Sequence, residues 1–251
     1  MIRLENISKH YGSTQAVRSL DLQVPQGELF GFLGPNGAGK TTTIRIIGGL
    51  IAPTTGRVFI DDIDMQREPE RAKRCIGLIP DRPFLYEKLS GLEFMRFTAD
   101  LYGVSGDGLV QRAERLLDFF GLLERSNELI ESYSHGMKQR LIMASSLLHE
   151  PPLIVVDEPM VGLDPKGIKM VRELFRELVS GGTTIFMSTH TLKLAEDVCD
   201  RIGIINKGRL VATGSIAELK QAARVGDADL EEAFLRLTQE ETFDAPGDYA
   251  N

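Results

Sequence analysis

The apolar residues of this chain fall into two kinds of pattern. Short runs that are apolar throughout, or that alternate with polar residues between Gly, Pro or Asp boundaries, predict strands. They lie at Arg3–Ile7, Val17–Val24, Glu28–Leu33, Arg57–Ile60, Cys75–Ile79, Leu153–Val156, Thr183–Met187, Ile202–Ile205 and Leu210–Ala212. The early runs follow closely on one another, as in an antiparallel sheet. The later ones alternate with helical patterns, as in a parallel α/β sheet. Between Pro83 and Glu150 the strand pattern stops. Ser90 and Glu93 have capping-box spacing, and Phe94, Phe97 and Leu101 follow at helical intervals, with Gly103 as the stop. Further helices are expected at Val110–Phe120 before Gly121, at Met137–His149 before Pro151–Pro152, and from Asp164–Pro165 to Gly181–Gly182. The pattern is that of an α/β core interrupted by an all-helical insertion. Glu240–Asn251, acidic and containing Pro and Gly, reads as a mobile tail.

Composition narrows the class. A chain of 251 residues with 42% hydrophobic and 26% charged residues suits a soluble globular protein of one or two domains. The formal net charge of −7 argues against a broad face for DNA or RNA. Cys75 and Cys199 cannot form a disulfide framework, and each reads as a small core hydrophobe. Met1–Tyr11 alternates polar and apolar residues, unlike the apolar stretch of a secretory signal. No run approaches the roughly 18 apolar residues of a membrane span. A membrane role would therefore come through a partner.

The chemistry concentrates in three places. Gly34-Pro35-Asn36-Gly37-Ala38-Gly39-Lys40-Thr41, continued by Thr42, fits the phosphate loop G-x-x-x-x-G-K-[ST]. It follows the apolar run Leu29–Leu33 and precedes a helical pattern through Ile44 and Ile47. Glycines let successive N–H groups curl toward phosphate oxygens, and the helix start adds a favourable dipole. Lys40 would neutralise the β- and γ-phosphates, and Thr41 would supply a hydroxyl to Mg²⁺. Second, Leu153–Val156 ends in Asp157-Glu158-Pro159. Asp157 is placed for the Mg²⁺ shell, and Glu158 for orienting and deprotonating the attacking water. Third, His190 follows Ser188-Thr189 at the end of another strand, where it could donate to the γ-phosphate.

These motifs, in this order, resemble the ATP-binding cassette family, specifically the nucleotide-binding subunit of a transporter. The likeness spans Met1 to about Thr238. It implies a P-loop NTPase fold of class α/β: a mixed-sheet core, an antiparallel β subdomain and an all-helical subdomain inserted at about residues 83–150. The ATP-binding domain would cover residues 1–220, with a C-terminal helix and tail over 221–251. Asp229–Thr238 looks like the C-terminal helix of bacterial exporter-type cassettes. Tyr11 would stack on adenine. Tyr133-Ser134-His135-Gly136-Met137 stands where the family signature is usually Leu-Ser-Gly-Gly-Gln. Gly162-Leu163-Asp164 matches the loop that crosses to the partner subunit, and His190 the switch histidine. The resemblance further implies ATP with Mg²⁺, ATP hydrolysis, and a head-to-tail dimer of two copies in which each signature closes the other's nucleotide. It also implies a separate integral membrane permease and a cytoplasmic position on the inner face of the plasma membrane.

Two positions depart from the family pattern. Asp81 stands where a glutamine is usual. It is expected to reach Mg²⁺, directly or through water, unless it pairs with Arg82 instead. His135 replaces the first signature glycine, at a cost on the order of 1 kcal/mol if that backbone needs a positive φ. Phe84, Leu85 and Tyr86 follow Asp81 directly; they either receive a short helix of the membrane subunit or pack the insertion onto the core. A soluble cassette acting on nucleic acid or ribosomes, and a non-hydrolysing nucleotide sensor, are the competing functions.

Overall fold

The computed structural model describes residues 1–82, 84–106, 108–225 and 229–240. Along the chain, β1 (Ile2–Tyr11) and β2 (Thr14–Val24) form a hairpin, and β3 (Leu29–Leu33) runs into α1 (Lys40–Ile47). Next come β4 (Thr55–Ile60), β5 (Ile63–Asp64), α2 (Pro69–Arg74) and β6 (Ile76–Ile79). The helices α3 (Gly91–Tyr102), α4 (Leu109–Phe119) and α5 (His135–Leu147) follow. The chain continues through β7 (Leu153–Asp157), α6 (Pro165–Ser180), β8 (Thr184–Thr189), α7 (Leu192–Val198) and β9 (Arg201–Asn206). It ends, among the described residues, with β10 (Arg209–Gly214), α8 (Ile216–Ala222) and α9 (Leu230–Glu240).

Two sheets result. The antiparallel one has the order β2–β1–β4–β5, and the mixed one β10–β9–β3–β8–β7–β6. Within the second, β9, β3, β8, β7 and β6 are parallel and only β10 is antiparallel. Its central strands are buried on both faces, which is why they read as unbroken apolar runs. Strand alternation divides them between two cores. Leu29 and Leu33 of β3, with Ile154 and Val156 of β7, face the core shared with α3–α6. Phe30, Phe32, Leu153 and Val155 face α1 and the antiparallel sheet. There the rings of Phe30 and Phe32 lie 5.6 and 5.3 Å from that of Phe186.

The parallel strands all finish at one edge. Leu33 pairs with Thr189, Asp157 with Ser188 and Ile79 with Val156. The loops leaving β3, β7, β8 and β6 are thereby gathered together, as expected at the carboxyl edge of an α/β sheet.

Local signals account for most boundaries. The capping box on α3 is formed: Ser90 Oγ accepts from Glu93 N at 3.3 Å, and Glu93 Oε2 accepts from Ser90 N at 2.7 Å. Gly103 ends the helix at φ +68°. Asp164 caps α6, its Oδ1 accepting from Gly167 N at 2.8 Å, with Pro165 at the first position. Helix α5 starts two residues earlier than the periodicity suggests, because Ser134 Oγ accepts from Met137 N at 3.3 Å and so acts as the N-cap. The short elements β5, α2, α7 and α8 were not expected. Cys199 is buried as foreseen, but Cys75 is only half-buried at the end of α2, its Sγ 3.6 Å from Arg71 O. The expected tail beyond Glu240 lies outside the described residues. No helix among the described residues is long and apolar enough to cross a membrane.

Candidate functional site

The loop between β3 and α1 is shaped by close backbone approach. A Cβ on Gly34 would lie 2.3 Å from the carbonyl oxygen of Ile205. On Gly39, at φ +108°, it would lie 2.5 Å from that of Ala16. Glycine is therefore required at both ends, and the intervening Pro35, Asn36 and Gly37 are exposed. Lys40 folds back over the loop. Its Nζ donates to the carbonyls of Gly34 at 2.6 Å and Pro35 at 3.2 Å. Burial holds its pKa below the ordinary lysine value, opposed by the nearby Glu158 and Asp157 carboxylates. The first amides of α1 have no partner within the helix, as at any helix start, so cation, dipole and free N–H groups converge on one concavity.

That concavity has a volume of about 370 Å³ and is lined by Asn36, Gly37, Gly39, Lys40, Thr41 and Thr42. Its wall also includes Asp81, Asp157, Glu158 and His190, together with Ala16. Four separate loops thus meet around the ammonium group. Asp81 lies in this wall, so its side chain is available to the site. Ala16 was not anticipated; it is an ordinary strand residue whose place depends on how β2 crosses the loop.

The two carboxylates are held differently. Asp157, the last residue of β7, is buried and accepts a hydrogen bond from Ser188 Oγ. Glu158 turns the chain at φ +51°, a left-handed conformation that costs a non-glycine residue on the order of 1 kcal/mol. Its N–H donates to the carbonyl of Ser188 at 3.2 Å. Its Oε1 lies 2.7 Å from His190 Nδ1, and its Oε2 accepts from Thr189 Oγ1 at 3.3 Å. Strain of this kind persists where surrounding structure over-determines it, here through the backbone bond to Ser188 and the side-chain contacts with Thr189 and His190.

The remaining predicted residues lie elsewhere. Tyr11 is exposed at the end of β1, with the Lys9 ammonium 5.4 Å from its ring centroid, and is not in the wall of the phosphate-loop cavity. Ser134 and Gly136, at the start of α5, line a different and larger cavity of about 870 Å³ with Gly162, Leu163 and Asp164. His135 is the first residue of α5 and is absent from the positive-φ residues, so the strain considered for it does not arise.

Such a strand–loop–helix cradle, facing paired carboxylates on a neighbouring strand, defines a phosphate-loop nucleoside triphosphatase core. A family model described as ABC transporter matches residues 17–161. The linearmycin resistance ATP-binding protein LnrL of Bacillus subtilis (strain 168) is 37% identical over 219 residues, covering 87% of this chain and 70% of that protein. A solved ATP-binding subunit of an ABC transporter superposes with a TM-score of 0.90 at 34% identity, over 95% of this chain and 99% of its own. A dimeric post-hydrolysis state of an ATP-binding cassette, bound to ADP and Pi, gives 0.79 at 28% identity, over 86% and 98% of the two chains. The chain belongs to the ABC transporter family and is an ATP-binding, ATP-hydrolysing subunit of it.

Proposed function

We propose that two copies of this chain close head to tail around two Mg·ATP and drive a separate membrane permease. The observation that carries this reading is the division of the site. Within one chain the phosphate-loop cavity and the Ser134–Gly136 cavity are distinct, and neither motif lines the other's walls. The γ-phosphate side of the Lys40 cavity therefore stays open until another surface covers it. The start of α5, with its unpartnered amides, has the chemistry for that cover.

In this reading, Asn36 to Thr42 and the Lys40 ammonium hold the phosphates, exchanging the Gly34 and Pro35 carbonyls for phosphate oxygens. Thr41, Asp157 and Asp81 hold Mg²⁺. All three line one cavity and offer only hard oxygen donors, which suits that ion. The metal supplies charge neutralisation on the phosphates when bound. Glu158 takes the proton of the attacking water. His190, already within hydrogen-bond distance of Glu158, orients it and donates toward the γ-phosphate. Tyr11 stacks on the adenine from the edge of β1. Ser134, His135 and Gly136 of the second copy complete the site through their amides and the Ser134 hydroxyl. The membrane subunit docks beside Phe84 and Tyr86, which are 90% and 61% exposed, three and five residues after Asp81. This placement puts the chain on the cytoplasmic face of the membrane. Export is favoured, supported by the relative named for linearmycin resistance.

Glu158→Gln tests the reading, since it removes the base while preserving the shape of the carboxylate. The variant is expected to form a dimer in Mg·ATP that persists through gel filtration, with hydrolysis reduced at least about a hundredfold, in the range of a lost general base. A variant that stays monomeric at saturating Mg·ATP would exclude the two-copy site.

A further inference from the structure

The contact of His135 with Gly162 carries an inference that rests on the two-copy reading above and deepens it. A Cβ on Gly162 would lie 2.7 Å from His135 Cδ2 and 3.0 Å from its Nε2, so the imidazole edge sits directly over the α-carbon of Gly162. The neighbouring Gly136 also faces this point, its Cβ position 3.5 Å from the carbonyl oxygen of Gly162. Gly162 itself stands at φ +81°. It is joined to Glu158 by two consecutive hydrogen-bonded turns, Val161 N to Glu158 O at 3.2 Å and Leu163 N to Met160 O at 3.3 Å. On its other side Asp164 caps α6. The segment from Glu158 to Asp164 is thus tied down at both ends and braced in the middle by one side chain from the start of α5.

We propose that His135 is a positioning residue that transmits engagement of this subunit's signature to its own Glu158. The signature of one chain closes on the other chain's nucleotide, whereas Glu158 serves the nucleotide of its own chain. A shift of the α5 start against the partner's phosphate presses the imidazole on Gly162. The paired turns, too short to absorb the movement, carry it to the strained Glu158 backbone. Glycine at position 135 takes the imidazole away from Gly162, so the two nucleotide sites lose this link. Small misplacement of a catalytic group costs rate more than ground-state binding.

The test is steady-state ATP hydrolysis by the full chain. His135→Gly is expected to lower kcat about tenfold, an effect of misplacement by a fraction of an ångström, while the KM for ATP stays within about twofold. Its Hill coefficient falls toward one. His135→Gln, which keeps a planar polar group of similar reach, recovers most of the loss. Gly162→Ala introduces a methyl against the imidazole and also strains the backbone at φ +81°; His135→Gly removes the collision but not the strain. The double variant therefore loses less than the product of the single losses. A His135→Gly protein with kcat and Hill coefficient equal to or above native, or strictly multiplicative losses in the double variant, overturns the proposal. Glu158→Gln separates the two levels. If it dimerises in Mg·ATP while His135→Gly is without effect, the two-copy site stands and only this link falls; if it fails to dimerise, both fall.

Discussion

At the residue scale, Lys40 is the cation at the centre of the site, and its environment works against its charge. Its ammonium is buried beneath the loop and bonded to two carbonyls, and desolvation lowers its pKa against the pull of Glu158 and Asp157. A lowered lysine pKa means that the charged form is disfavoured in the folded chain relative to the unfolded one. The resulting penalty is present at neutral pH and disappears only as pH rises through the ordinary value of 10.5. A ligand phosphate would repay it, which makes Lys40 a poised group whose charge is worth most when nucleotide is present. Lys40→Met is therefore expected to change the melting midpoint of the nucleotide-free protein little. Two hydrogen bonds of about 1 kcal/mol each are lost, while the desolvated charge is relieved. The same variant loses the rise in midpoint that Mg·ATP gives the native chain. Thermal melting with and without Mg·ATP checks both.

At the element scale, the insertion is joined to the core where α5 ends. His149, just beyond α5, stacks on Tyr102 of α3 with centroids 3.7 Å apart, and its Nε2 lies 3.1 Å from the carbonyl oxygen of Ile76, the first residue of β6. Its Nδ1 is buried without a partner, so the neutral tautomer that donates from Nε2 fits this place. Burial pushes its pKa below the ordinary 6.5, with the Ile76 hydrogen bond opposing. Below that value the unfolded chain binds a proton that the folded chain resists. The contribution to stability is therefore whole above about pH 6.5 and declines as pH falls. His149→Phe keeps the stack and removes the titration. Its melting midpoint is expected to fall less than that of the native chain between about pH 7 and pH 5, and a pH series of melting curves measures the difference.

The elements that were legible in the sequence share a physical reason. Strands buried on both faces are continuous apolar runs, and α3 and α6 carry their caps in the sequence. Those that were not legible, α2, α7 and α8, are short helices that owe their stability to packing rather than to a periodic stripe. Of the three, α8 alone carries a local start signal, the capping box of Ser215 and Glu218.

At the scale of the whole molecule, the open nucleotide cavity and the exposed aromatic surface belong together, because Asp81 in the cavity wall is followed three residues later by Phe84. Leu85 packs partly against the core, whereas Phe84 projects outward and Tyr86 meets Phe97 edge-on at 5.1 Å. The exposure of Phe84 leaves it available for the docking proposed above, whereas Tyr86 packs the insertion. Phe84→Asp is expected to leave the melting midpoint almost unchanged, as exposed substitutions stay within about 0.5 kcal/mol. It should abolish co-purification with a multi-span membrane protein in mild detergent. Retained co-purification would remove Phe84 from the docking surface.

The sequence by itself determined the α/β class, the phosphate loop and the carboxylate pair, because each is a local matter: a glycine spacing, a buried run and the residues at its end. It also located the helical insertion, where strand periodicity gives way to helical periodicity. Only the tertiary structure decided what long-range approach controls. It brought Asp81 and Ala16 into the Lys40 cavity from other strands, and left the Ser134 region outside it. It set Glu158 at φ +51° against His190 and gave His135 a helical backbone resting on Gly162. Residues tens of positions apart meet only once strands have paired and helices have packed, and spacing along the chain carries no record of that encounter.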